Sequence, residues 1–210
     1  MGENLEKKLT DIYGLKYLPS IGSLDSEDYL PGMFDNIKVT QTFSKKNQDK
    51  LLEYFNKIKH KCNCIVEVGV DRDGYDASST SIFIENKLDE TFYIGIDTVN
   101  KSNLNNKQKN IYTLQTNSHN RVHAYEFLDS LGINKIDFLF IDGYHSINTV
   151  VNDWQYTEKL SDFGIVGFHD TNYHPGPLYV FDAIDEKLYK KNKYFENLND
   201  DWGVGFAEKI

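Results

Sequence analysis

Cysteine is nearly absent from this chain, with two in 210 residues, Cys62 and Cys64. They stand so close in sequence that a mutual disulfide is not expected. A disulfide-stapled secreted scaffold is thereby excluded, and a reducing, cytoplasmic setting is expected. Long hydrophobic runs are missing too. None approaches the roughly 18 apolar residues of a membrane helix, so no membrane partner is expected. The first residues are polar, without the apolar centre of a signal peptide, and Glu6 stands where a myristoylation site has Ser or Thr. Positive charge is scarce: 23 Lys and Arg against 32 Asp and Glu leave a net charge of −9. That balance argues against nucleic acid and anionic lipid as partners, because both are held mainly by neutralising phosphate. Repeats and low-complexity tracts are not seen. What the chain does have is aromatic bulk, 14 Tyr and 13 Phe, enough for one well-filled core.

Six short runs rich in Ile, Val, Phe and Tyr read as strands: 64–70, 91–97, 110–115, 136–142, 164–168 and 203–208. Several are apolar throughout, as strands buried on both faces are. Segments with helical spacing fall between them, at 78–87, 119–131, 146–160 and 178–190, and another at 43–58 precedes the first strand. Strand alternating with helix predicts parallel crossovers, hence an α/β, Rossmann-like doubly wound sheet. Residues 193–198 and 203–208, joined by Asn199, Asp200 and Asp201, predict an antiparallel C-terminal hairpin. Residues 1–42 lack a sustained period and read as an N-terminal arm or lid, expected to pack over a ligand edge or form a subunit contact. Residues 43–210 form the main domain.

Chemistry-bearing residues gather where strands end. The first strand runs into Glu67, Gly69, Val70 and Gly74, a small-residue turn through which backbone can approach a ligand. Asp71 stands where a dinucleotide fingerprint has its second glycine, so the turn alone is weak evidence. The second strand ends in Asp97, placed to reach ribose hydroxyls or to cap a turn. The fourth ends in Asp142 with His145 three residues on, and the fifth in His169-Asp170-Thr171-Asn172. Should these strands be adjacent, Asp142 and Asp170 can share one hard cation, Mg²⁺ or Ca²⁺, at the carboxyl edge. Singly, each acid reads better as a helix cap or a loop solubiliser; together, with His145, they favour a metal. His145 is a candidate general base. His169 reads as a structural residue, and His174-Pro175-Gly176-Pro177 as a rigid turn near the site.

The stretch Phe140-Ile-Asp142-Gly-Tyr-His145, followed by Asp153 and by Gly167-Phe-His169-Asp170, resembles the macrocin- and mycinamicin-type O-methyltransferases and the cephalosporin hydroxylase-like branch of the class I S-adenosylmethionine-dependent methyltransferases. Glu67-Val-Gly69 with Gly74 resembles their first motif. The resemblance implies a sheet of seven strands with the last antiparallel, and S-adenosylmethionine as cofactor. Its amino-acid part would meet Glu67, Gly69, Val70 and Gly74, Asp97 would hold the ribose, and Asn117 and Ser118 would flank the adenine. It further implies a magnesium ion on Asp142 and Asp170, with Thr171 at the position of a third ligand, and His145 as base toward a sugar or other small-molecule hydroxyl. A metal-independent methyltransferase, a nucleotide-binding oxidoreductase and a non-catalytic relative remain the alternatives.

Overall fold

The computed structural model describes residues 11, 13–19, 25–26, 43–70, 78–195 and 201–210. Gly74 and the other residues of the first turn, 71–77, lie outside the described residues, as does most of the segment 1–42.

Seven strands form one sheet: β1 (Cys64–Val68), β2 (Phe92–Asp97), β3 (Ile111–Gln115), β4 (Ile136–Ile141), β5 (Leu160–His169), β6 (Tyr189–Tyr194) and β7 (Val204–Lys209). Their order is β3-β2-β1-β4-β5-β7-β6. Strands β1 to β5 are mutually parallel, and β7 runs antiparallel between β5 and β6. The predicted doubly wound sheet and its C-terminal hairpin are thus both present. Chain order reverses between β1 and β4, so the crevice beyond their carboxyl ends is the switch point where open sheets bind ligands.

Helices cover both faces. On one lie α1 (Lys45–Ile58) and α2 (Ser79–Asn86), whose Leu51, Tyr54, Phe55 and Phe83 pack on Ile65, Tyr93, Phe138, Phe140 and Phe206. On the other lie α3 (Arg121–Ser130), α4 (Ile147–Trp154) and α5 (Pro175–Ala183), whose Leu128, Val150, Trp154 and Val180 pack on Val66, Ile94, Leu139 and Val166. Side chains hold the helix starts: Ser44, Ser78, Asn120 and Ser146 each accept a backbone N–H three residues on, which satisfies a donor the helix itself leaves free. Cys62 and Cys64 are free, buried thiols in opposite halves of the core.

Some predicted elements differ from the fold. Strand β5 spans Leu160–His169 rather than 164–168, and the helix expected over 146–160 is α4, Ile147–Trp154. The last helix spans Pro175–Ala183 rather than 178–190, because Pro175 takes the first helical position that its fixed φ suits. The first hairpin strand is β6, Tyr189–Tyr194, rather than 193–198. It is the sheet's edge, and its lysines, which blunt open edges against unwanted pairing, disguise it as a solvated segment.

The described part of the N-terminal segment is integral to the domain. Leu15 is 1 % exposed and bridges Ile184 beyond α5, while the Trp154 indole donates to the Tyr13 carbonyl at 2.8 Å. These contacts lie at the amino edge of the sheet, where α4 and α5 end. Asp25 accepts from the Asn148 amide at 2.8 Å in the first turn of α4.

Candidate active site

At the switch point β1 and β4 nearly touch. Gly69 has φ +84°, and a Cβ on it would stand 2.0 Å from the Asp142 carbonyl oxygen. Only glycine allows both that conformation and that approach. Its N–H donates to Ile96 (2.9 Å), while the Asp142 N–H donates to Val68 (2.8 Å), so the ends of β2, β1 and β4 are tied into one ledge.

On this ledge the proposed cofactor residues have definite partners. Asp97 accepts from the Val70 N–H at 2.9 Å through one oxygen and from the Val99 N–H at 2.7 Å through the other. Glu67 is fully buried and accepts from the Thr80 hydroxyl (2.7 Å) and the Tyr93 hydroxyl, which ties it to the start of α2. Burial pushes its pKa up to about 7, tempered by the Ser79, Tyr93 and Thr80 hydroxyls. Asn117 caps its own turn, its side chain accepting from the His119 N–H at 2.9 Å, and Ser118 is buried, its carbonyl held by the Tyr156 hydroxyl at 2.8 Å.

The polar cluster sits at the next strand ends. Ile141 pairs with Phe168, so the residues that follow them, Asp142 and His169, come abreast. The His169 Nδ1 lies 3.0 Å from Asp142 Oδ1 and 3.0 Å from Asp170 Oδ1. His145 Nε2 lies 2.9 Å from Asp170 Oδ2 and 3.6 Å from Asp142 Oδ1. His174 stacks on His145 with ring centroids 4.4 Å apart, and its Nε2 is 4.0 Å from Asp170. A backbone bond from the Gly176 N–H to the His145 carbonyl, 2.9 Å, holds the two loops together.

Asp170 is the centre of this group and its least comfortable member. It adopts φ +60°, uncommon for a residue with a side chain, and is 1 % exposed. Neither of its oxygens accepts a hydrogen bond of ordinary geometry, close as the imidazoles are. Burial would raise its pKa, but the charges of His169 and His145 hold it far below the usual carboxylate range. Asp142 is held down in the same way, against desolvation, chiefly by His169; 25 % of its side chain remains exposed, leaving the cluster one open side. His169 answers in the opposite sense. Burial would lower it, but Asp170 and Asp142 push it up to about 10. The two carboxylates thus favour the protonated form of His169, whose positive charge would lie beside both.

Asp142, His145 and Asp170 are thus brought together as the sequence suggests. Thr171 is wholly buried beside them, its hydroxyl without a hydrogen-bond partner. Asn172 turns away, its amide donating to the Asp201 carbonyl at 3.0 Å. His169 and His174 are the residues that sequence reasoning set aside. Strand register brings in the first, and the packing of α5 against the β4–α4 loop brings in the second; neither signal is local. Asp153 is another: fully buried on α4 next to Gly143, it has a pKa raised to about 7 by burial, moderated by Ser118, His145 and Arg121.

Comparison with solved structures reveals the same arrangement of elements elsewhere. MycE, a methyltransferase from the mycinamycin biosynthetic pathway solved with Mg, SAH and mycinamycin VI, superposes with a TM-score of 0.55 at 16% identity over 77% of this chain. The chain has the fold of the class I methyltransferases. It covers 48% of MycE, about half that protein's length. CalS11, a TDP-rhamnose 3′-O-methyltransferase of calicheamicin biosynthesis, gives a TM-score of 0.55 at 11% identity, covering 79% of this chain and 81% of that one. An rRNA methylase from Streptococcus thermophilus gives 0.53 at 12% identity, covering 78% and 93%. No family model matches the chain, and no curated protein does.

Proposed function

We propose that the protein is an S-adenosylmethionine-dependent methyltransferase that transfers a methyl group to a hydroxyl of a small molecule or sugar, assisted by a divalent cation. The observation that carries this reading is the Asp142–His145–His169–Asp170 cluster standing on the same ledge as Gly69 and Asp97, at the switch point of a methyltransferase fold. The solved neighbour with SAH bound, and the TDP-rhamnose methyltransferase neighbour, support it. The net charge of −9 favours a small acceptor over the RNA of the methylase neighbours.

In this reading the backbone at Gly69 and Val70 lies against the cofactor, and Asp97 directs its remaining lone pairs to the ribose hydroxyls. Two adjacent carboxylates, one of them buried and without a backbone donor, suit a cation, so the cluster fits one held by Asp142 and Asp170. When bound, such an ion would lower the pKa of an acceptor hydroxyl. His145 takes the acceptor proton; Asp170, 2.9 Å from its Nε2, fixes the ring and steadies the positive charge it gains. Asp153 lies near enough to add to that field.

The His169 ring between the two carboxylates supports a second, metal-independent reading, because it already neutralises them. Two measurements separate the possibilities. Calorimetry should give micromolar binding of SAH, about −8 kcal/mol, and no binding of SAH or S-adenosylmethionine would remove the methyltransferase reading in favour of a nucleotide-binding oxidoreductase or a non-catalytic relative. With the acceptor identified by mass spectrometry of co-purified ligand, turnover should stop in excess chelator; full turnover there selects the metal-independent reading. His145→Ala should keep SAH binding and lose about 10²–10⁴ in rate.

A further inference from the structure

The cation seat is not built from oxygen alone, and this bears on which ion it takes. Asp142, His169 and Asp170 each present one ligand atom, all within 4.8 Å of one another. The separations of His169 Nδ1 from Asp142 Oδ1 and Asp170 Oδ1 are both 3.0 Å. Adjacent donors at about 2.1 Å from one octahedral ion stand about 3.0 Å apart, which is the separation of His169 Nδ1 from an oxygen of each carboxylate. Independently, Asp170 is 1 % exposed, and its oxygens accept no hydrogen bond of ordinary geometry although His145 Nε2 and His169 Nδ1 stand 2.9 and 3.0 Å away, as expected of a buried carboxylate aimed at an ion.

We propose that this seat takes a borderline divalent transition ion through the His169 imidazole together with Asp142 and Asp170, and discriminates against magnesium. The proposal rests on the cation-assisted reading above and sharpens it. Magnesium favours six oxygens and keeps several of its waters. This seat offers an imidazole nitrogen in place of an oxygen and little room for water, since His169 is 5 % exposed, Asp170 1 % and Thr171 not at all. Imidazole suits Zn²⁺, Co²⁺ and their neighbours, and only the Asp142 side stays open for water or substrate.

His169 is preferred over His174 as the nitrogen donor on geometry. It is the last residue of β5, wedged edge-on against Phe43 with centroids 5.1 Å apart. His174 Nε2 stands 4.0 Å from its nearest carboxylate oxygen and makes a separate group with His145 and Asp170. That arrangement leaves His145 available as the base.

The test uses the full chain stripped of metal, with Co²⁺, Zn²⁺ and Mg²⁺ as probes in calorimetry, and the visible spectrum of the Co²⁺ form as a direct report on nitrogen ligation. Co²⁺ and Zn²⁺ should bind at least about a hundredfold more tightly than Mg²⁺. His169→Ala should lose at least about a hundredfold in Co²⁺ affinity, since even outer-shell changes cost 10–100-fold. His169→Glu, which restores oxygen donors, should narrow the gap between Mg²⁺ and Co²⁺, and His174→Ala should leave the Co²⁺ spectrum unchanged. Mg²⁺ binding as tightly as Co²⁺ in the wild type, or a His169→Ala protein with wild-type Co²⁺ affinity, overturns the proposal. SAH calorimetry on the same variants shows that they are folded. Loss of SAH binding in the wild type would strike the methyltransferase reading while leaving the metal preference to be judged on its own data.

Discussion

Replacing Gly69 by alanine probes the ledge that joins the glycine turn after β1 to the carboxylate cluster after β4. Two penalties operate there. The first is conformational: φ +84° forces a Cβ toward the following carbonyl, at roughly 1–2 kcal/mol. The second is steric: the new methyl would lie 2.0 Å from the Asp142 oxygen and 2.8 Å from the Gly143 nitrogen, so backbone has to move by about 1 Å. Overpacking of this kind adds about 1–3 kcal/mol, for a total of roughly 2–5 kcal/mol. Gly132 supplies the control. Its φ is +75°, yet nothing lies within 4 Å of an added Cβ, so Gly132→Ala should cost only the conformational part, about 1–2 kcal/mol. Urea unfolding of both variants measures the difference, and SAH calorimetry should show binding weakened only in Gly69→Ala. Equal destabilisation of the two, with binding intact in both, would mean that β1 and β4 do not approach as described.

Asp97→Ala should weaken SAH binding by at least about tenfold, because it removes the ribose acceptor and also releases the Val70 and Val99 N–H groups; undiminished affinity in calorimetry rejects the assignment. Asp153 has a folded-state pKa raised from 3.8 to about 7, so the native state binds the extra proton, and its contribution to stability is full at low pH and is lost as pH rises toward 7. Asp153→Asn should therefore flatten the stability profile between about pH 4 and 7 and gain up to roughly 4 kcal/mol at pH 8; a less stable variant at pH 8 contradicts this. Leu15→Ala should cost about 2–5 kcal/mol in urea unfolding, as for any fully buried leucine, and a change below about 0.5 kcal/mol would detach residues 13–18 from the core.

The sheet was legible in the sequence because most of its strands are buried on both faces and so cannot be mistaken for amphipathic helices. Residues 64–68 and 136–141 are buried at every position. Legibility failed where burial ended. Strand β5 begins at Leu160, before the apolar stretch, with Asp162 exposed. Strand β6 pairs on one side only and carries Lys190, Lys191 and Lys193. The candidate site divides the same way. Asp142, Asp170 and His145 could be read because each follows a strand end by a fixed count along the chain. His169 could not, since its place depends on which residue of β4 it faces, and register is a property of two strands together.

Asp97 and Asp170 show how differently two strand-end carboxylates can be held. Both oxygens of Asp97 accept backbone N–H groups, so its charge is met by the fold and a ligand needs only its spare lone pairs. Asp170 has no such bond and relies on the positive charge of neighbours whose own protons are exchangeable. A buried carboxylate in a left-handed conformation, with no backbone donor to hold it, is a local cost of about 1–3 kcal/mol that packing alone gives no reason to keep. The His169 ring stands 3.0 Å from an oxygen of each carboxylate, placed to bear on both at once, and the metal preference proposed above turns on that placement.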